Sequence, residues 1–396
     1  MIASPVSAAT PAPPLIPWIL SLGMFVIGTT SLSILGVGPA MTRELGVTPS
    51  AAGWLVTAFA ATFAAAAPIT QFTLGRRLAP RTLIICGTGL LAASLIWAAL
   101  AGGFASLLAS RIMSALGGAL IAPTSAALAI SLVPESRRGA VLAIVFTGFT
   151  LATVAGVPLV TWLALDLGWR GAMGVIAGAA VLLFGLALLL LPRPTAAPSA
   201  PSPVEGARRF QTRTALVLLG TMGVLAAQFT IYALMGELLV QRYGVPETAL
   251  PGAILLFGVL GVAGNTTAGL LSDRLGAPVL VWTSLGMLAV LLVLLGFDLG
   301  PVLGTVALAG CAFAGTLFAT PQQSRLVALV PPERHALILA LNSSSSYLGI
   351  AIGSGLASGL ASAISLGTLP IAALVLVALT SAINALSQDR GQLIPR

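Results

Sequence analysis

The chain has 396 residues, 58% of them hydrophobic and only 7% charged, with a formal net charge of +8. A water-soluble domain carries about 25% charged residues, so this composition, with a mean hydropathy of +1.06, excludes a chain whose whole surface meets water. It predicts a polytopic membrane protein. All 18 basic residues are arginines, and all but Arg111 fall between apolar runs rather than on one face, which argues against a nucleic-acid partner.

The first fourteen residues are rich in Pro, Ala and Ser and lack the basic start of a secretory signal, so residues 1–14 are expected to form a disordered tail and the first span to be retained. A helix needs about 20 apolar residues to cross the hydrocarbon layer. Runs between charges and Gly/Pro breaks give six spans at about 16–40, 50–73, 82–101, 104–130, 140–163 and 169–191. A Pro/Ser linker over 192–213 follows, and six more spans come at about 214–240, 248–271, 279–297, 302–325, 336–360 and 365–387, before a tail over 388–396. The expected architecture is therefore all-α, with about twelve transmembrane helices in two six-helix bundles, 15–191 and 214–387.

The two halves repeat in one register. Gly46 answers Gly244, Arg76 answers Arg274, Pro123 answers Pro321 and Pro134 answers Pro332, each 198 residues on. Pseudo-symmetric halves in an apolar chain are characteristic of secondary transporters, which rock one half against the other around a central site. With the N-terminus inside, the inner loops and tails carry 14 arginines and the outer loops three (Arg43, Arg170 and Arg242). That asymmetry predicts cytoplasmic termini. Trp18, Trp54, Trp97, Trp162, Trp169 and Trp282 fall at span ends, as an interfacial aromatic belt requires. Cys86 and Cys311 lie inside apolar runs and suggest neither a disulfide nor a metal site. The one histidine, His335, sits in a loop, and no nucleophile–base grouping lies within a span, so an enzyme is not expected.

Four segments carry more specific signals. The loop after the eighth span reads Gly269-Leu-Leu-Ser-Asp273-Arg274-Leu-Gly276; Gly269 would let helices approach closely, and Asp273 and Arg274 could pair across the bundle. The first-half copy keeps Arg76, Arg77 and Arg81 but has Gly75 where the acid would stand. The fourth span carries Arg111-Ile-Met-Ser-Ala-Leu-Gly117, and an arginine at that depth must face the bundle interior or a wet cavity. The fifth span carries Gly148, Ala152, Ala155, Gly156 and Pro158, small residues for close helix contact followed by a bend.

Together these segments resemble the major facilitator superfamily over about residues 16–387, with the fifth span similar to the antiporter signature of the twelve-span drug:proton exporters and the sugar, purine and arabinose efflux permeases. The resemblance implies a monomeric inner-membrane transporter working by alternating access. Gly269, Asp273, Arg274, Gly276, Arg76 and Arg77 would form its conformational latch, with Gly148, Gly156 and Pro158 as a second conformational element. It implies a small neutral or amphipathic organic substrate, such as a drug, sugar or nucleoside-like molecule, exported against protons, and no cofactor or metal. A facilitator or importer of the same fold, or a sensor without flux, is the alternative.

The cavity candidates on the spans this family uses are Thr29, Thr30, Ser31, Gln228, Tyr232, Phe313, Asn342, Ser343 and Tyr347, with Arg111 beside them. Related exporters often place an acid after Gly-Thr-Thr in the first span, whereas here Gly28-Thr29-Thr30 is followed by Ser31. For proton coupling that leaves Glu237 and Arg111. Counted along its helix, Glu237 falls at the outer interface, where incomplete shielding from water is expected.

Overall fold

The structure, a computed structural model, describes residues 15–134, 137–192, 212–331 and 334–388. The expected N-terminal tail, most of the linker and nearly all of the C-terminal tail lie outside these residues, as do the side chains of Arg76 and Asp273.

Among the described residues the chain is helical throughout, and ten helices are long and apolar enough to cross a membrane. A bent pair, Ile16–Leu32 and Ile34–Leu45, adds another crossing, with 44° between its halves. The stretch Arg138–Leu190 has 53 residues, which as one straight helix would run about 80 Å, far beyond a hydrocarbon core of about 30 Å. It turns back at Gly168, whose φ of 68° and ψ of 167° no helix tolerates. Counted as two crossings, it completes twelve.

The other spans are Ser50–Thr73, Pro80–Ala99 and Phe104–Ser131 in the first half. Thr212–Tyr232 begins the second half and continues through Met235–Glu237 and the π-turn Leu238–Arg242; Leu250–Leu275, Ala277–Leu295, Gly300–Ala328, His335–Ala363 and Leu369–Ser387 follow.

The 198-residue register is visible in the geometry. Gly46 and Gly244 both take left-handed φ values, 63° and 69°, where the first and seventh spans end. Pro123 and Pro321 both lie inside helices, and Pro80 and Pro278 both open one. The first span is broken at Ser33 and the seventh at Ala233-Leu234.

Within each bundle, backbone contact through small residues does the packing, as expected where lipid offers no hydrophobic drive between helices. Gly148 meets the Ser21 carbonyl so closely that a side chain there would collide with it. Gly117 and Gly87 face each other's backbones, and Gly264 faces that of Phe313. Arginines tie the helix ends: Arg81 donates to the carbonyls of Leu191 at 3.0 Å and Leu188 at 2.6 Å, satisfying groups a helix C-terminus leaves open. Arg325 donates to Asn384 and, at 2.8 Å, to Ser387 on the last span.

One aromatic expectation fails. Trp18, Trp54, Trp97 and Trp162 are exposed, as a belt requires, but Trp169 is 1% exposed and packs in the core beneath Arg170. The chain turns at Gly168, so the following side chain points inward rather than along the interface. Gly148→Val should lower the melting temperature in detergent, since overpacking costs about 1–3 kcal/mol where the neighbour can shift and here the neighbour is backbone. An unchanged melting curve would show that the first and fifth spans can separate freely.

Candidate functional site

The face on which the described chain begins and ends is called here the terminal face, and the opposite one the far face. On the far half the two bundles are joined. Arg43 pairs with Glu247 at 2.5 Å, Thr57 bonds Ser354 at 2.8 Å, Gly53 fits against Ser358 and Gly258 against the Thr153 carbonyl. On the terminal half Thr147, Thr150, Asn265 and Ser343 are exposed within their spans. Polar side chains at such depth are poorly suited to lipid, so they face an opening between the bundles. Midway, Phe63 of the second span stacks on Tyr347 of the eleventh, ring centroids 4.1 Å apart.

Above that stack lies Arg111, 3% exposed. It donates to the carbonyl of Thr30 at 2.6 Å and of Ser31 at 3.1 Å, and sits 4.8 Å from the centre of the Phe59 ring. No carboxylate bonds it among the described residues. The charge is carried by backbone dipoles and an aromatic face instead. The local sequence makes this possible. Ser31 and Ser33 turn their hydroxyls back onto the carbonyls of Gly28 and Thr30, each at 3.0 Å, a habit that bends helices. The planar guanidinium fork spans two successive carbonyls at that bend.

Of the other cavity candidates, Thr29, Thr30, Gln228 and Tyr232 are buried and each has a side-chain polar atom without a partner: Oγ1 of both threonines, Nε2 of Gln228 and the Tyr232 hydroxyl. Tyr232 is held edge-on by Phe229 and Phe257. Ser31 is bonded within its own helix, Ser343 likewise to Leu339 at 3.1 Å, and Tyr347 carries the cross-bundle stack. Asn342 accepts from Thr221 at 3.0 Å and so ties the eleventh span to the seventh. Phe313 is placed elsewhere, packed with Ala268, Leu280 and Leu317 inside the second bundle.

Glu237 differs from its expectation. It does fall on the far side, but its exposure is 0%, and neither carboxyl oxygen has a hydrogen-bond partner. The helical count gave its depth correctly and missed what covers it: the first span, broken at Ser33, brings Gly38 against its carboxyl. A methyl group at Gly38 would lie 2.6 Å from Oε1 of Glu237.

The conformational elements are distributed unevenly. Gly269 has nothing within 4 Å of where a side chain would start, so it makes no close helix contact in this state, contrary to expectation. Arg77 and Arg274 are exposed, and Gly276 takes φ 79° at the turn into the ninth span. In the fifth span, Ala152–Gly156 form a π-turn in which Ala152 packs on Gly28 and Gly156 on Thr29, while Ala155 is exposed. Pro158 is buried at the start of the following helix; the sharp bend comes later, at Gly168. The sequence reading missed Phe59, Phe63, Gly38 and the Arg43–Glu247 pair. Phe59 and Phe63 stand four apart on one helix face, and Gly36/Gly38 form a small-residue pair before a proline, signals that gain meaning only with a partner in view.

Two pseudo-symmetric bundles of six membrane helices, joined along the far half, are the architecture of a secondary transporter. Residues 20–354 match the Major Facilitator Superfamily, and the chain belongs to that family; it is a multi-pass membrane transporter and not an enzyme. It is 27% identical to an uncharacterized MFS-type transporter, YbcL, of Bacillus subtilis, over 86% of this chain and 87% of that one. It is 33% identical to a chloramphenicol resistance protein of Streptomyces lividans, over 70% of this chain and 74% of that one. In fold it is similar to a bacterial homologue of the human lysosomal transporter Spinster, solved in an inward-facing and occupied conformation, with a TM-score of 0.80, 16% identity and coverage of 96% and 97%.

Arg111→Ala removes a donor from the carbonyls of Thr30 and Ser31; Thr30 keeps the Ser33 hydroxyl, so the loss falls chiefly on Ser31, and an unsatisfied buried group costs about 1–3 kcal/mol. Both melting temperature and transport should fall. Arg111→Lys should recover only part of either, because a point charge cannot bond two carbonyls as a fork does. Full activity in Arg111→Ala would mean that the bend at Ser33 holds without it.

Proposed function

We propose that this transporter exports a small neutral or weakly amphipathic organic molecule from the terminal face to the far face, in exchange for protons carried by Glu237. The observation that carries the reading is the Glu237 carboxyl, fully buried and unpartnered where the bundles meet. A buried acid without a counter-charge is what a proton carrier in a membrane protein looks like, since such residues mark proton and substrate pathways by default. The unpaired hydroxyls of Thr29, Thr30 and Tyr232 and the amide of Gln228 offer hydrogen bonds without charge, which favours a neutral substrate over a dianion. The terminal face is assigned to the cytoplasm of a bacterial inner membrane by the arginine asymmetry of the loops.

The relative of Streptomyces lividans makes chloramphenicol, a neutral aromatic amide, the first compound to try. Everted membrane vesicles should accumulate it when acidified inside and release it when the pH gradient is collapsed. Glu237→Gln should abolish gradient-driven accumulation, by at least about tenfold, which corresponds to about 1.4 kcal/mol of lost coupling, while leaving exchange of labelled for unlabelled compound. Equilibration without accumulation would leave a facilitator, and accumulation that ignores the pH gradient a differently coupled carrier.

The Gly269–Gly276 loop, with Arg76 and Arg77 facing the same side of the membrane, is proposed as the latch that closes the terminal face. Asp273→Asn should slow transport without reducing membrane insertion. Equal flux at equal expression would reduce Asp273 to a solvated loop residue.

A further inference from the structure

The 198-residue register pairs Gly38 with Gly236 and Pro39 with Glu237. In the structure these two dipeptides touch each other across the bundle boundary. A methyl group at Gly38 would meet Oε1 of Glu237 at 2.6 Å, and one at Gly236 would meet Cδ of Pro39 and the carbonyl oxygen of Leu35, both at 2.8 Å. The contact is therefore reciprocal: each glycine receives the residue that follows the other glycine. Proline has no N–H, so Pro39 cannot bond the carbonyl of Leu35 one turn back, and that carbonyl is the one resting on Gly236. Both helices are interrupted shortly before the contact, at Ser33 and at Ala233-Leu234, so each dipeptide sits on a short terminal segment that can tilt apart from the rest of its span.

We infer that this Gly38-Pro39/Gly236-Glu237 contact is the gate of the far face, and that the proton on Glu237 is what keeps it shut. The inference rests on Glu237 being the proton carrier. With the carboxyl protonated, the contact is neutral and dry and the backbones touch. When the proton leaves toward the terminal side, an anion remains against Gly38 with neither donor nor counter-charge. Among the described residues, no titratable group on the elements around it bonds the carboxyl. Arg43 pairs with Glu247 and Glu44 with Arg170. Arg242 bonds the Gly296 carbonyl and Tyr243 that of Leu295; Cys311 is buried in the tenth span, and the Tyr232 hydroxyl has no partner. An unpaired buried anion costs several kcal/mol, and parting the two dipeptides lets water in to solvate it. A proton taken up from the far side then restores the neutral contact. Substrate leaves while the gate is open, and one proton moves inward per cycle.

The gate can be read without any substrate or gradient. Spin labels at Thr48→Cys and Thr248→Cys, both exposed on the far side, in a Cys86→Ala, Cys311→Ala background, report the separation of the bundles by pulsed dipolar spectroscopy on purified protein. In the parent the long-distance population should rise with pH, by at most about tenfold per unit for one linked proton. Glu237→Gln should stay short at every pH. Gly38→Ala and Gly236→Ala, which wedge the contact from opposite sides, should be long at every pH; two variants are named so that one misfolded protein does not decide the matter. A parent distribution that ignores pH, or a Glu237→Gln variant that follows it, would overturn the gate. Should the distances respond as described while vesicles show no proton-driven export, the gate stands and the efflux reading falls.

Discussion

The bend in the first span at Ser33 is the feature on which most of the far half depends. A straight helix would present neither of the carbonyls that hold Arg111 nor the glycines that meet the second bundle. The bend has local causes, two serine hydroxyls bonded back to carbonyls three residues earlier and a proline at position 39 in the last turns. It has two consequences on opposite sides of one helix. Toward the fourth span it exposes the acceptors of Thr30 and Ser31 to a guanidinium; toward the partner bundle it brings Gly38 against Glu237 of the seventh span and Gly36 near Ile254 of the eighth, with Thr161 of its own bundle closer still. Arg111 thus bonds the same backbone that carries the contact with Glu237, and the bond to Thr30 at 2.6 Å ties the fourth span to the far seam by one short stretch of helix.

Such a seam has to be held without much hydrophobic drive and still be able to part. Contact between bundles is made by backbone on backbone, by hydroxyl pairs such as Thr57–Ser354 and by one partly exposed ion pair, Arg43–Glu247, whose side chains are 62% and 37% exposed. A surface pair of that kind contributes at most about 1 kcal/mol. Small-residue contacts lose little when they separate, because each buries little area and leaves no large side chain unpacked. Interiors of the bundles add Leu, Ile and Val cores to their own glycine contacts, and arginine-to-carbonyl ties at the helix ends, such as Arg81 to Leu188, favour each bundle moving as a unit.

Much of this was legible in the sequence. The helical spans and the repeat follow from hydropathy and spacing, because the bilayer permits few alternatives to a continuous helix, while the resemblance to the family rests on the motifs at Gly269–Gly276, Arg111–Gly117 and Gly148–Pro158. Legibility ended where two spans far apart in sequence come together. Arg111 was identified from depth alone, but its neighbours Phe59 and Phe63 read as ordinary apolar residues. Glu237 was assigned the right depth and the wrong surroundings, since a helical count says how far along a span a residue lies and nothing of what crosses it. Trp169 was misplaced for a related reason: the count to a span end assumes a lipid-facing side chain, and the turn at Gly168 points it inward. Phe313 failed on rotation, facing the eighth and ninth spans instead of the cavity, a matter that needs the angle of the helix about its own axis.

The pseudo-symmetry is broken at both buried charges. Arg111 falls in register with Ala309, and Glu237 with Pro39, so each buried charge has an apolar counterpart in the other bundle. A charge present in both halves would place two like groups across a narrow boundary, where low dielectric makes repulsion severe. Keeping each in a single copy leaves the fold its two-fold frame, with matching glycines at 46 and 244 and matching prolines at 123 and 321. One bundle then holds the cation in a permanent cradle of carbonyls, while the other carries an acid with no permanent partner. Only the unpartnered group gains from a change in hydration when the bundles rock, which is why the proposed coupling of a proton to the motion falls on Glu237 rather than on Arg111.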